Sequence, residues 1–552
     1  MANRFWVGGT AIWDLTAGTK WALTSGGAGG QAVPTAADDV FFDAASGANT
    51  VTVSGFRVAK SVTCTGFTGT IAGANTNGIT ISGSLTLVAG MGYTATIQLF
   101  FNSTGTIITA GKTLTNITFE AGSNVTLGGA VTTSATGVCT LTAGALNLNN
   151  FTLTVATFQS NNSNVRSIAF GTGSIALISA TIGASALGMN NVTNFTYTGS
   201  GLFTRSMANT ATLAYGSTSS SGSGKAINLN VTGGSSTCTL TNGSYWKDLN
   251  FTGNSSVVNT TNANISGNLT FSATGTYTGF SCIVTATSTL TTNARTMFQL
   301  EVNGAGITVT LGSAIVVSQD IFVTQGTFNT ANFSVTTARF SSSNSLVRGI
   351  TFGTSTVSLT SSATTSTVWD TATSTNLTFS AASSTIAVTT NASLSGLGIT
   401  FNGGALTYGI FNIAAASVSI TIAQNNTFGQ FNINGLSASV RTTGANTFTT
   451  LANSVQPVSV RLAGGLTTTV GTFNLNGTAG NLVTFESNTA GTQATVSVAS
   501  GAVNANYLSI KDSNATGGAV FTAINSVNGG NNTGWLGFPI LNNGNMLLMF
   551  LP

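Results

Sequence analysis

The segment SNNSNVRSIAFGTGSIALIS, beginning at Ser160, is written a second time as SSNSLVRGITFGTSTVSLTS, beginning at Ser342. Aligning Ala145 to Ser179 with Thr327 to Ser361, an offset of 182, gives 17 identities in 35 positions. They include Asn147, Asn150, Phe151, Phe158, Ser160, Val165, Arg166, Ile168, Phe170 and Gly171. Chance matches in a biased composition do not share an F-x(6)-F-x(6)-V-R-x-I-x-F-G-T frame, so a unit of several turns has been copied. A copied unit of this length reads as a repeat architecture, in which each turn buries its apolar face against its neighbours.

A finer period runs through the C-terminal half. Asn-Thr-Phe recurs at Asn426 and Asn446, a spacing of 20, and Phe473 follows Phe448 by 25. Within each period, β-branched residues alternate with small polar ones, as in GITISGSLTLVAG and SVSITIAQNNTFGQFNI. Alternation with period two marks half-buried strands. No long segment carries an i, i+3, i+4, i+7 apolar stripe with helix-forming surface residues. The expected fold is therefore all-β: an elongated parallel β-helix (β-solenoid) of coils of about 20–25 residues, with Asn and Gly at left-handed corners and atypical caps at both ends.

The shortage of charge fits the same architecture. Only 5% of residues are Asp, Glu, Lys or Arg, and stacking puts each residue about 4.8 Å from its counterpart in the next coil. A charge would face its own copy there, whereas Ser, Thr and Asn stack without repulsion and form hydrogen-bonded ladders. Five segments follow: a Trp/Asp-rich cap or docking segment at 1–50, solenoid bodies at 51–326 and 327–500, closing coils at 501–538, and an apolar tail at 539–552.

The same composition narrows the chemistry. Histidine is absent, which removes Ser-His-Asp and Cys-His catalysis and histidine metal sites. The net charge of +4 comes from dispersed residues, with no Lys/Arg cluster to neutralise a row of phosphates, so nucleic acid is not an expected partner. Cys64, Cys139, Cys238 and Cys282 lie far apart in strand-like runs and are expected to be small buried hydrophobes, kept reduced in a cytosol. The opening lacks the layout of a secretory signal, and no apolar run reaches the roughly 18 to 20 residues of a membrane helix. Neither secretion nor membrane insertion is expected.

Carboxylates are the remaining route to catalysis, through two or three converging within roughly 5 to 10 Å. Outside the N-terminal segment the acids are solitary; Asp248 with Asp320, or Glu301 with Asp320, have spacings that stacking could bring together. Asp38, Asp39 and Asp43 could offer oxygens to Ca²⁺, but no D-x-D-x-D-G frame is present, and capping and solvated charge is the expected role. No catalytic residue, metal or cofactor is assigned. Trp6, Trp13 and Trp21 are candidate ligand or docking contacts through sugar stacking, with cap packing as the stronger expectation. Arg166 and Arg348 share the parity of the inward Ile168 and Ile350. Because a core charge is costly without partners, they are expected at a corner, bracing the carbonyls of the Ser/Asn turn while the stem covers the interior.

Taken together, the opening W-x(7)-W with VPTAADDVFFD, the FxSxNSxVRxIxFGT units, the NTF coils and the closing SIKDSNATGGAVF…NGGNNTGW resemble large bacteriophage virion proteins of the tail-fibre and fibre-like appendage kind. The resemblance spans nearly the whole chain and specifies architecture more than activity. It implies a structural virion protein, not an enzyme, assembled in the host cytoplasm and released by lysis. Other virion proteins and a host-surface glycan or protein would be its partners, and a homotrimer its oligomer. A tailspike-like depolymerase using paired carboxylates, a purely structural decoration protein and a bacterial surface adhesin are the alternatives.

Overall fold

A computed structural model describes residues 2–538 apart from 17, 181–182, 207–208, 217–224, 234–236, 254–256, 362–366 and 390–397; the apolar tail at 539–552 thus lies outside the described residues. The chain separates into two compact units, 1–288 and 289–552. Each is an all-β parallel solenoid, and the described chain makes about 21 coils of about 22 residues. No α-helix occurs among the described residues; one 3-10 turn, Ala44–Ser46, is capped by the Asp43 carboxylate, which accepts from the Ala45 and Ser46 amides. Among the described residues no helix is long and apolar enough to cross a membrane.

In the first unit a coil consists of three short strands. Asn124–Leu127, Val131–Thr133 and Val138–Leu141 form one, and Gly144–Asn147, Thr152–Val155 and Thr157–Gln159 form the next. The register Asn124↔Ala145, Val131↔Leu153 and Val138↔Thr157 lays one over the other. Period-two alternation sends Val125, Leu127, Val131, Cys139 and Leu141 into the interior, where each is fully buried. Corners are turned by left-handed residues, as at Asn149 (φ 50°) and Asn150 (φ 67°), where asparagine tolerates the conformation better than most. Gly171, at φ 59°, has a second reason to lack a side chain: a Cβ there would collide with Asn150 Oδ1.

One ten-stranded sheet of this unit shows how the stack ends. It runs from Phe195–Thr198 back through Arg166–Ala169 to Asn3–Trp6, and its last member, Trp21–Ala22, is antiparallel to Asn3–Trp6. That reversed strand covers an edge that would otherwise be open to another chain.

The second unit carries the Asn-Thr-Phe coils as the spacing predicts. Thr427↔Thr447 and Phe428↔Phe448 are in register, and the two rings stack at 5.6 Å with planes 17° apart. Asn446 Oδ1 accepts from the Asn426 backbone amide at 2.9 Å and from Asn426 Nδ2 at 3.3 Å, an asparagine ladder inside the corner. The closing coils place Trp535 against Phe521, Phe485 and Phe473 at 5.0–6.2 Å.

All four cysteines are free and buried. Burial pushes the Cys64 thiol up to about 12 and that of Cys238 up to about 11, and raises Cys139 and Cys282 as well. A thiol reagent at about pH 8 is therefore expected to find no reactive cysteine in the native protein and four after denaturation. Rapid native labelling would contradict the packing.

Candidate functional site

The two copied arginines are the most heavily bonded side chains among the described residues. Arg166 opens the strand Arg166–Ala169 and is 1% exposed, with Ile168 on the same inward face. Its Nε donates to Ser160 Oγ at 2.6 Å; Nη1 donates to the carbonyls of Asn164 and Thr193 at 2.9 and 2.8 Å; Nη2 donates to those of Ser160 and Asn191 at 2.8 and 2.6 Å. All five N–H groups are used, and the guanidinium lies 5.7 Å from the centre of the Phe195 ring. Arg348 repeats the cage at an offset of 182: Nε to Ser342 Oγ, Nη1 to Leu346 and Thr375 carbonyls, Nη2 to Ser342 and Thr373 carbonyls. Burial pulls both guanidinium pKa values down.

The inward parity and the turn contacts thus coexist. The side chain is buried at the start of its strand, and carbonyls reach it both from the turn at 160–164 and from the next coil. The duplication also reaches further than the sequence alignment. Asn194 Nδ2 donates to the Ser163 carbonyl as Asn376 Nδ2 does to that of Ser345. Neither guanidinium keeps an open donor.

Trp6, Trp13 and Trp21 are 0–1% exposed. Trp21 meets Trp6 edge-on at 5.1 Å and Trp13 at 5.5 Å, and Phe42 packs on all three. A sugar-stacking platform requires an open ring face, and these faces are covered by one another. The reason is local: alternation along the first strands turns each indole inward, and the antiparallel Trp21–Ala22 brings the third ring over the first two.

The carboxylates are occupied one by one. Asp320 takes a bidentate contact from Arg339, Nε to Oδ1 at 2.5 Å and Nη2 to Oδ2 at 2.7 Å. Glu301 accepts from Asn303 Nδ2 and Thr324 Oγ1. Asp248, in the other unit, accepts from the Asn268 amide at 2.7 Å. Asp38 accepts from the amides of Ala2 and Thr35 and from Thr35 Oγ1. Asp39 pairs with Lys60, and Asp43 caps the 3-10 turn. No group of three or more His, Cys, Asp or Glu able to hold a metal occurs among the described residues.

Arg57 stands apart. It is inward on Phe56–Ala59 and 8% exposed, and its Nε and Nη1 have no acceptor. Replacing a buried, unpaired cation with an apolar side chain of similar length is neutral or stabilising. Arg57→Met is thus expected to leave thermal stability unchanged or raised by up to about 2 kcal/mol; a clear loss would show that the cation is compensated.

On the outer surface, stacking assembles a group that chain separation hides. Arg441, Arg461, Glu486 and Lys511 are consecutive partners in one column. Their strand neighbours Val440, Val460, Phe485 and Ile510 are buried, so the four charged residues face outward. Arg461 Nε donates to Glu486 Oε1 at 2.7 Å. Arg441 and Lys511 form no ion pair among the described residues. A groove of about 280 Å³ runs beside the column, with Ser487, Asn488 and Asp512 on its wall. The Asn531 amide and the Gly491 N–H hold the Asp512 carboxyl below its usual pKa. The sequence does carry a signal for this column, in the spacings 20, 25 and 25 between its members, each one coil.

Comparison with protein-family models, with curated proteins and with solved structures returns no match for this chain.

Proposed function

We propose that this chain is a non-catalytic structural protein of a bacteriophage virion, a tail fibre or similar appendage, which attaches to the host surface through many weak contacts. The observation that carries the reading is the outward repetition of hydroxyls, coil after coil. Thr407, Thr427, Thr447 and Thr469 form one such column. Ser419, Ser439, Thr484 and Ser509 stack in another, interrupted at Ser459, whose Oγ is buried. A surface that presents the same group about every 4.8 Å suits a repetitive glycan, and several weak contacts held on one scaffold multiply into avidity. The buried, reduced cysteines are compatible with assembly in the host cytoplasm and release by lysis. Other virion proteins would hold one end, and a homotrimer would triple the number of contacts.

The test is direct. Purified full-length protein, fluorescently labelled, is expected to bind host cells saturably and to release no oligosaccharide from isolated capsule or lipopolysaccharide. Release of oligosaccharide, abolished by a single Asp or Glu substitution, would replace this reading with a depolymerase. Absence of cell binding would leave a decoration protein.

A further inference from the structure

Stacked parallel coils penalise stacked like charges, since residues in register lie about 4.8 Å apart and repel. The chain respects this nearly everywhere, with 26 charged residues in 552 (15 basic, 11 acidic). The column at Arg441 and Arg461 breaks the rule: two arginines stand directly over one another. The fold does not require charge at that place, because Thr421 fills the same position one coil earlier. Nor does Glu486 account for both. It takes one bond from Arg461, while Arg441 has no partner among the described residues and Lys511, in register with Glu486, forms no ion pair with it. A local rule broken without an internal compensation is a mark of a binding surface.

We infer that this column is a binding site for an acidic polysaccharide, with the sugar chain lying along the stacking direction. Arg441 and Lys511 are three coils apart, so their charges span about 14 Å at about 4.8 Å per coil, the reach of an extended oligosaccharide rather than of a single ion. The guanidinium of Arg441 offers a planar fork that matches a carboxylate or a sulfate, and Lys511 offers a point charge. Between them the Arg461–Glu486 pair is locally neutral, with side chains 50% and 24% exposed. The groove beside it is walled by Ser487, which is buried, and by Asn488, whose amide is engaged by Thr442, Gly464 and Thr489, so the charged column supplies the contacts. The ligand is thus a polymer that carries negative charge along its length. This inference names the ligand class of the surface contact proposed above and rests on that reading, but it is tested without cells.

The experiment measures binding of the intact protein to immobilised polygalacturonate, dextran sulfate and neutral dextran, for the native chain and for Arg441→Gln, Lys511→Gln and the double variant. Both residues are exposed, so unchanged thermal unfolding verifies that the variants are folded. Polygalacturonate is expected to bind and dextran not to. Each single variant is expected to weaken binding roughly three- to tenfold and the double variant more than tenfold, with the native affinity falling as salt rises. Tighter binding to dextran sulfate than to polygalacturonate, with the same dependence on both residues, would keep the site and assign it to sulfated sugars. Equal binding to neutral dextran, no binding to either acidic polymer, or a double variant that binds like the native chain would overturn the inference. If the protein binds cells but none of these polymers, attachment uses another face. If it binds polygalacturonate through Arg441 and Lys511 but not cells, the site stands and the attachment reading falls.

Discussion

Arg166→Met is expected to destabilise its part of the solenoid by about 3–5 kcal/mol, the cost of removing one side of a buried charged network. Methionine replaces the stem, so little cavity is created. What is lost is the set of five donors, and the carbonyls of Ser160, Asn164, Asn191 and Thr193 lose their shared partner. Each buried acceptor left unsatisfied costs about 1–3 kcal/mol, offset in part where water reaches the turn. Because a solenoid is stabilised coil by coil, the effect should be local. Amide hydrogen exchange is expected to accelerate around residues 160–195 and to stay unchanged around 342–377, where Arg348 maintains the second cage. Arg348→Met should produce the converse pattern, so each copy serves as the control for the other. Unchanged exchange together with lost host attachment would show that these arginines bind a ligand instead of bracing the fold.

Trp21→Ala is expected to cost about 3–5 kcal/mol, the range for removing a large buried aromatic, and in addition to expose a strand edge. Trp21 does two things at once: its ring fills the space against Trp6, Trp13 and Phe42, and its backbone pairs in reverse with Asn3–Trp6. Without the ring, a strand of two residues is left to its backbone bonds, such as Gln31 N–H to the Trp21 carbonyl, and the parallel edge beneath it becomes more available to other chains. The expected readout is faster exchange in residues 3–22 with concentration-dependent association by light scattering. Trp21→Phe should restore most of the protection, since an aromatic of smaller volume still fills much of the site. A monomeric, fully protected Trp21→Ala protein would mean that the edge is covered by something other than this strand.

The amino-acid sequence by itself determined the all-β class, the coil length, the copied unit and the burial of the cysteines. Each follows from relations between residues one coil apart or less: period-two alternation, left-handed Asn and Gly, and the tolerance of Ser, Thr and Asn for self-stacking. The orientation of Arg166 was legible in its parity with Ile168, yet the cost of a buried charge argues against that orientation until the acceptors are known. Two of those acceptors, Asn191 and Thr193, lie 25 and 27 residues further on, and only winding the next coil places their carbonyls over the guanidinium. The covered faces of Trp6, Trp13 and Trp21 depend likewise on a reversed strand that no repeat announces. The column of Arg441, Arg461, Glu486 and Lys511 depends on coil lengths of 20, 25 and 25, and a change of one residue in any of them would turn a member inward. Tertiary structure decided these because parallel stacking converts small differences in coil length into which side chains meet, and a sequence of repeats specifies the coil more firmly than its register.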